Sequence, residues 1–219
     1  MILIPVKNLS AAKQRLAAVL DQRARTELAQ TMLRDVVTAL AGWLGRPACA
    51  LVTGDPFASE LARQFDFEII PDPANPGETG AIEMATRLCV ERGIESTLVI
   101  PADIPLIQAS ELEHMYAVAP QEGSVLAPAA DGRGTNAAFR RPANLFPLRF
   151  GNDSFKPHLA AARATGKPCR VLKLPGISVD VDNPEDLQTL LAQPGDTRTQ
   201  RLLRCWKLDS LLPAIGMER

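Results

Sequence analysis

The sequence predicts an α/β fold in which a mostly parallel central sheet is covered by helices on both faces. Three observations carry that expectation. Short apolar runs alternate with amphipathic segments almost to the end of the chain. The run TLVIPAD (Thr97 to Asp103) is apolar without alternation, as a central strand buried on both faces should be. At 219 residues the chain suits one large domain better than two small ones.

The elements follow in order. ILIPV (Ile2 to Val6) reads as the first strand. Asp21 caps a long helix whose apolar positions Leu28, Met32, Leu33, Val36 and Leu40 keep a helical period, and Gly42 and Gly45 end it. ACALVT (Ala48 to Thr53) is the second strand, and Pro56 opens a helix to about Gln64. FEIIPD (Phe67 to Asp72) is the third strand, followed by a Pro- and Gly-rich loop and a helix from Ala81 to Arg92. After the Thr97 to Asp103 strand a helix begins near Ser110. SVLAPAAD and TNAAFRR read as strands flanking a Gly-Arg-Gly loop. A helix starts at Ser154 and stops at Gly166, CRVLKLP is a strand, and VDVD (Val179 to Asp182) is a short extended piece. Asn183 and Pro184 then stand as cap and first residue of another helix. Residues 1–193 form the expected domain. Residues 194–219 form a C-terminal extension whose amphipathic stretch, Arg201 to Leu212, packs on the body or on a second copy, so monomer and homodimer both stay open.

Composition removes several function classes. The formal net charge of −1 supplies no basic field for nucleic acid or an anionic membrane. The longest uncharged apolar stretches are about half of what a membrane span needs, and MILIPVK lacks the order of a cleavable signal. Cys49, Cys89, Cys169 and Cys205 lie far apart with no C-x-x-C pair, which fits reduced cysteines in a cytoplasmic protein.

Several residues could carry chemistry. Asp103 stands at the carboxyl end of the expected central strand, where ligands bind in open α/β sheets, between Pro101 and Pro105; a turn or cap aspartate explains it equally. Asp180 and Asp182, two apart in an extended segment, point to one side. Such a pair repels unless strong donors or a cation intervene, and Mg²⁺ is commonly held by one or two carboxylates plus substrate phosphates. Lys7, Lys13 and Arg15 follow the first strand and suit a triphosphate, or else a solvated helix face. Neither G-x-x-x-x-G-K-[ST] nor G-x-G-x-x-G occurs, which removes the Walker and dinucleotide-binding readings. Ser154 at a helix start, with Gly151 before it and His158 one turn on, is either a cap with a surface histidine or an anion site.

Taken together, MILIPVKNLSAAKQRLA, PADIPL, DGRGTNAAF, FGNDSFKPHLAAA and VDVDNPEDL resemble, in order and spacing, the guanylyltransferases of coenzyme F420 biosynthesis, as far as about Leu191. The resemblance implies a single-domain, Rossmann-like nucleotidyltransferase fold similar to the molybdopterin guanylyltransferases. It implies transfer of GMP from GTP to 2-phospholactate, phosphoenolpyruvate or 3-phosphoglycerate, with Mg²⁺ as cofactor. It puts metal ligands at Asp103, Asp180 and Asp182, acceptor contacts at Thr135, Gly151 and Ser154, and phosphate contacts at Lys7 and Lys13; His158, by its own position one turn past Ser154, is close enough to assist at the acceptor. The chain departs after the third strand, where many members carry Leu-Asn and this one has PGETGAIEMA. Glu83 of that segment is the expected reader of guanine, since a carboxylate can accept from N1–H and the exocyclic amine. Two other classes remain: a relative of the same fold with a sugar-phosphate or pterin acceptor, and a non-catalytic nucleotide-binding module.

Overall fold

Strand β1 (Ile2–Val6) is fully buried and sits near the middle of the sheet, flanked by β2 (Cys49–Thr53) and β4 (Thr97–Val99), both parallel to it. The computed structural model describes residues 1–72, 77–151 and 153–207. Strand β3 (Glu68–Pro71) pairs parallel with β2 at one edge. On the far side β6 (Thr135–Arg141) runs antiparallel to β4 and to β5 (Gly123–Pro128), and β7 (Cys169–Val171) closes the order β3-β2-β1-β4-β6-β5-β7. Only β6 is reversed, so the sheet is mostly parallel as expected.

Alternation along the strands feeds two cores. Ile2, Ile4, Leu51, Leu98 and Phe139 meet α1 (Gln22–Ala41), α2 (Pro56–Gln64) and α4 (Ala109–Ala117) on one face. Leu3, Val52, Val99 and Ala138 meet α3 (Glu78–Glu91) and α5 (Phe155–Ala164) on the other. The caps read from sequence are present: Asp21 accepts from Ala24 N–H, and Asn183 from Asp186 N–H at the start of α6 (Pro184–Ala192).

Three elements differ from expectation in their bounds, and the short extended piece is tied in by a backbone bond. The central strand pairs only over Thr97–Val99, because Pro101 has no N–H to continue the ladder. Helix α3 starts at Glu78, a turn earlier than the apolar period suggested, which brings the first-turn residues to the strand ends. Val179 to Asp182 joins no ladder; Val181 N–H instead donates to the Asp103 carbonyl at 3.2 Å. The last described helix, α7 (Arg198–Cys205), starts before Arg201 with Thr197 as cap. It packs on α1 and α6, with Leu203 among Leu28, Met32, Leu187 and Leu190. Leu211 and Leu212 of the expected stripe lie outside the described residues.

Candidate active site

A cleft of about 640 Å³ opens at the carboxyl ends of β1 and β4, within the usual range for small-molecule sites of roughly 300–1,000 Å³. The parallel strands deliver Lys7 and the segment through Arg15 from β1, and Pro101 to Asp103 from β4. Because β6 is reversed, its first residues, Thr135 and Asn136, arrive at that same end. Glu78 enters from the start of α3, and Gly151 and Ser154 from the approach to α5.

The charges interlock. Lys13, in the left-handed region (φ 55), places Nζ 2.5 Å from Asp103 Oδ2 and 3.0 Å from Asp182 Oδ1. Arg15 stands 3.4 Å from the other Asp182 oxygen. Burial alone would lower the Lys13 pKa, but the attraction of Asp103 and Asp182 and its hydrogen bonds to both overcome that and hold it above the usual lysine range. For Asp182 burial pushes the other way, and Lys13 followed by Arg15 still keeps it below the ordinary carboxylate range. Asp180 is pushed up to about 6, by burial first and by the charges of Asp103 and Asp182, with the Asn136 hydrogen bond opposing. Glu78 is pushed up to about 7, by burial first and Asp103 next, with Lys7 and Lys13 partly offsetting them.

Asp103 and the Asp180/Asp182 pair, distant in sequence, therefore share one cleft, and both carboxylates of the pair face it as the period of two requires. Among the described residues no group of three or more carboxylate, His or Cys side chains is already set to hold a metal ion. The Lys13 ammonium lies between two of the carboxylates instead. These carboxylates are hard oxygen donors, the ligand type that Mg²⁺ takes together with water and substrate phosphates, and they already hold one positive charge between them.

Three expected residues are placed differently. Glu83 is exposed and lines a separate hollow with Arg87, Arg140 and Phe146; the inward side of α3 is taken by Ala81, Ile82, Ala85 and Cys89, and the carboxylate that α3 brings to the cleft is Glu78. The Ser154 side chain caps nothing: its Oγ accepts from Thr135 N–H at 3.1 Å. His158 is a core residue behind the cleft, bonded to Thr135 and to the Arg149 backbone. Gly151 adopts φ +142, which side-chain residues rarely tolerate, and a Cβ there would meet only open space, so the backbone faces the cleft unobstructed.

Sequence reasoning missed Asn136, buried beside the cleft, whose Nδ2 donates to Asp180 Oδ1 and to the Ile177 carbonyl, both at 2.9 Å. A lone asparagine in a strand carries no local signature. Glu78 belongs to the PGETGAIEMA segment already singled out, but Thr79 beside it was missed. Thr79 Oγ1 accepts from Phe150 N–H at 2.9 Å, tying α3 to the loop before Gly151.

The family described as guanylyl transferase CofC-like matches residues 1–212. The chain belongs to that family. A phosphoenolpyruvate guanylyltransferase of Rubrobacter xylanophilus is 39% identical over 194 residues, covering 88% of this chain and 93% of that one. A 3-phospho-D-glycerate guanylyltransferase of Colwellia psychrerythraea is 32% identical, covering 94% and 97%. A 2-phospho-L-lactate guanylyltransferase of Methanothermobacter thermautotrophicus is 31% identical, covering 99% and 95%. A solved nucleotidyl transferase from Methanothermobacter thermautotrophicus superposes with a TM-score of 0.60 at 18% identity, covering 94% of this chain and 99% of that one, which supports the fold. By kinship this member of the CofC-like family is thus a nucleotidyltransferase, and it shares the fold of that solved structure. Among its described residues no helix is long and apolar enough to cross a membrane.

Proposed function

We propose that this protein transfers GMP from GTP to a phosphorylated three-carbon acid, releasing pyrophosphate, as a step in coenzyme F420 formation in the cytoplasm. The observation that carries the reading is the pairing, in one cleft, of a cation-and-carboxylate wall with a neutral hydroxyl wall at Thr135 and Ser154. The first suits a triphosphate and the second an acid. The acceptors named for its relatives are phosphoenolpyruvate, 3-phospho-D-glycerate and 2-phospho-L-lactate.

Lys7, Lys13 and Arg15 neutralise the triphosphate, so that charge moving onto the pyrophosphate meets fixed cations. Asp103 and Asp182, with Asp180 held by Asn136, would bind Mg²⁺, which when present polarises the phosphoryl oxygens. Lys13 then exchanges its carboxylate partners for phosphate oxygens. The acceptor's phosphate oxygen forms a bond to the α-phosphorus of GTP as the α–β anhydride bond breaks, and the electron pair leaves with pyrophosphate. A phosphate is ionised near neutral pH, so the step needs no general base and is governed by positioning and charge. Thr135, Gly151 and Ser154 line the acceptor's place.

The test is purified protein with Mg²⁺, each of GTP, ATP, CTP and UTP, and each of the three acids, with a sugar phosphate and a pterin as alternative acceptors, followed by mass spectrometry. The expected result is a guanylylated acid with one acceptor preferred. No product with any of them, or equal kcat/KM for ATP and GTP, overturns the reading; product with only a sugar phosphate or a pterin replaces the acceptor.

A further inference from the structure

We propose that His158 is a positioning residue that turns the Thr135 hydroxyl into a hydrogen-bond donor aimed into the cleft, at an anionic oxygen of the acceptor. The inference rests on the acceptor's placement beside Thr135.

Arg149 N–H donates to His158 Nε2 at 2.7 Å, so that nitrogen carries no proton. The neutral ring must then hold its proton on Nδ1, which lies 2.9 Å from Thr135 Oγ1 and donates to it. The Ser154 hydroxyl, 3.4 Å away, donates weakly to the same oxygen. Both lone pairs of Thr135 Oγ1 are thereby occupied, and its own hydrogen is left for a partner elsewhere. Thr135 is buried but lines the cleft, so the open direction is the cleft itself. An anionic oxygen there gains a charge-assisted hydrogen bond without reorienting the protein.

His158 also steadies the loop that bears Gly151. Its Nε2 bond fixes the Arg149 backbone, and its ring meets that of Phe150 edge-on at 5.2 Å. Burial, and after it the nearby charge of Arg140, pushes its pKa down to about 4, which keeps the ring neutral across the working range. A protonated ring would present Nε2–H to Arg149 N–H and break the arrangement.

Two measurements test this on the intact protein. With only two histidines in the chain, ¹⁵N spectra resolve each ring; His158 should show the Nδ1–H tautomer from pH 6 to 8, and the Nε2–H tautomer would overturn the proposal. Kinetics supply the second. His158→Gln can still accept from Arg149 but loses the donor to Thr135, and should raise the acceptor KM about tenfold with the GTP KM within about twofold. His158→Asn, whose amide reaches the Nδ1 position, should recover most of the loss. In a Thr135→Val background, His158→Gln should add less than about twofold, because it acts through the missing hydroxyl. Full multiplication of the two effects would refute the relay while leaving the acceptor's placement intact. Unchanged acceptor kinetics in Thr135→Val alone would refute that placement, and the relay with it.

Discussion

The two walls of the cleft are built on opposite principles. The wall from the parallel half, Lys7 to Arg15 with Asp103, Asp182 and Glu78, is a set of charges held in mutual compromise. Lys13 serves two carboxylates at once, and Glu78 and Asp180 sit above their ordinary pKa range, through burial first and neighbouring carboxylates next. The wall from the reversed strand, Thr135 with Ser154 and backed by the buried His158, is neutral and hydrogen-bonded. One wall is completed by what binds it, and the other is set before anything binds. The difference follows from the substrates proposed: a triphosphate and its metal bring large charges that must be balanced, whereas a small acid must be oriented.

The largest way to break this comparison is Asp103→Asn. The change keeps the shape but removes a negative oxygen donor from the charged wall and one of the two anchors of Lys13. Turnover should fall by roughly a hundredfold or more, while the melting temperature stays near that of the wild type. Steady-state kinetics with GTP and the preferred acid, beside a thermal melt, read both. Near-normal Mg²⁺-dependent turnover would take Asp103 out of the catalytic wall.

How far each wall could be read from sequence also differs. Asp180 and Asp182 were legible as a pair because the extended backbone's period is local, and Asp103 because it ends an apolar run. Asp21, Pro56, Asn183 and Pro184 marked their helices correctly for the same reason: caps are short-range chemistry. The Lys13 bridge was not legible, since its partners are 90 and 169 residues away and nothing local says which carboxylate a lysine will meet. The neutral wall hid more. Ser154 at a helix start reads as either a cap or an anion site, and neither reading foretells that its hydroxyl faces Thr135, 19 residues back. Which carboxylate of the PGETGAIEMA segment reaches the cleft was not legible either: α3 begins at Glu78, a turn earlier than the apolar period suggests, so Glu78 meets the strand ends and Glu83 does not.

Ser154→Ala tests the neutral wall with a smaller effect. Removing Oγ leaves the buried Thr135 N–H without its acceptor, a loss of about 1–3 kcal/mol. Because that amide belongs to the residue proposed to face the acceptor, the melting temperature should drop and the acceptor KM should rise about tenfold together, with GTP affinity little changed. A drop in melting temperature alone would make Ser154 a packing residue.

The smallest expected effect sharpens the charged wall, and its sign is opposite. Glu78 is pushed up to about 7 by burial and then by Asp103, so folding favours its protonated form. Its contribution to stability is therefore full below the ordinary glutamate pKa and is lost as pH rises toward 7, once the folded protein must carry the ionised group. Glu78→Gln removes that loss. Without metal or nucleotide, the variant and the wild type should melt together near pH 4 and diverge above it, the variant being the more stable at pH 8. Glu78 keeps some contact with solvent, which screens the interaction. The gain is then about 1 kcal/mol, or roughly 2–4 °C. Melting curves of both proteins from pH 4 to pH 8 decide it. Two parallel curves would mean that Glu78 ionises without opposition, and that the charged wall is less frustrated than its geometry implies. A variant that is less stable at pH 8 would mean that Lys7 and Lys13 outweigh the carboxylates there, leaving Glu78 as a partner for cations and no longer a strained neighbour of Asp103.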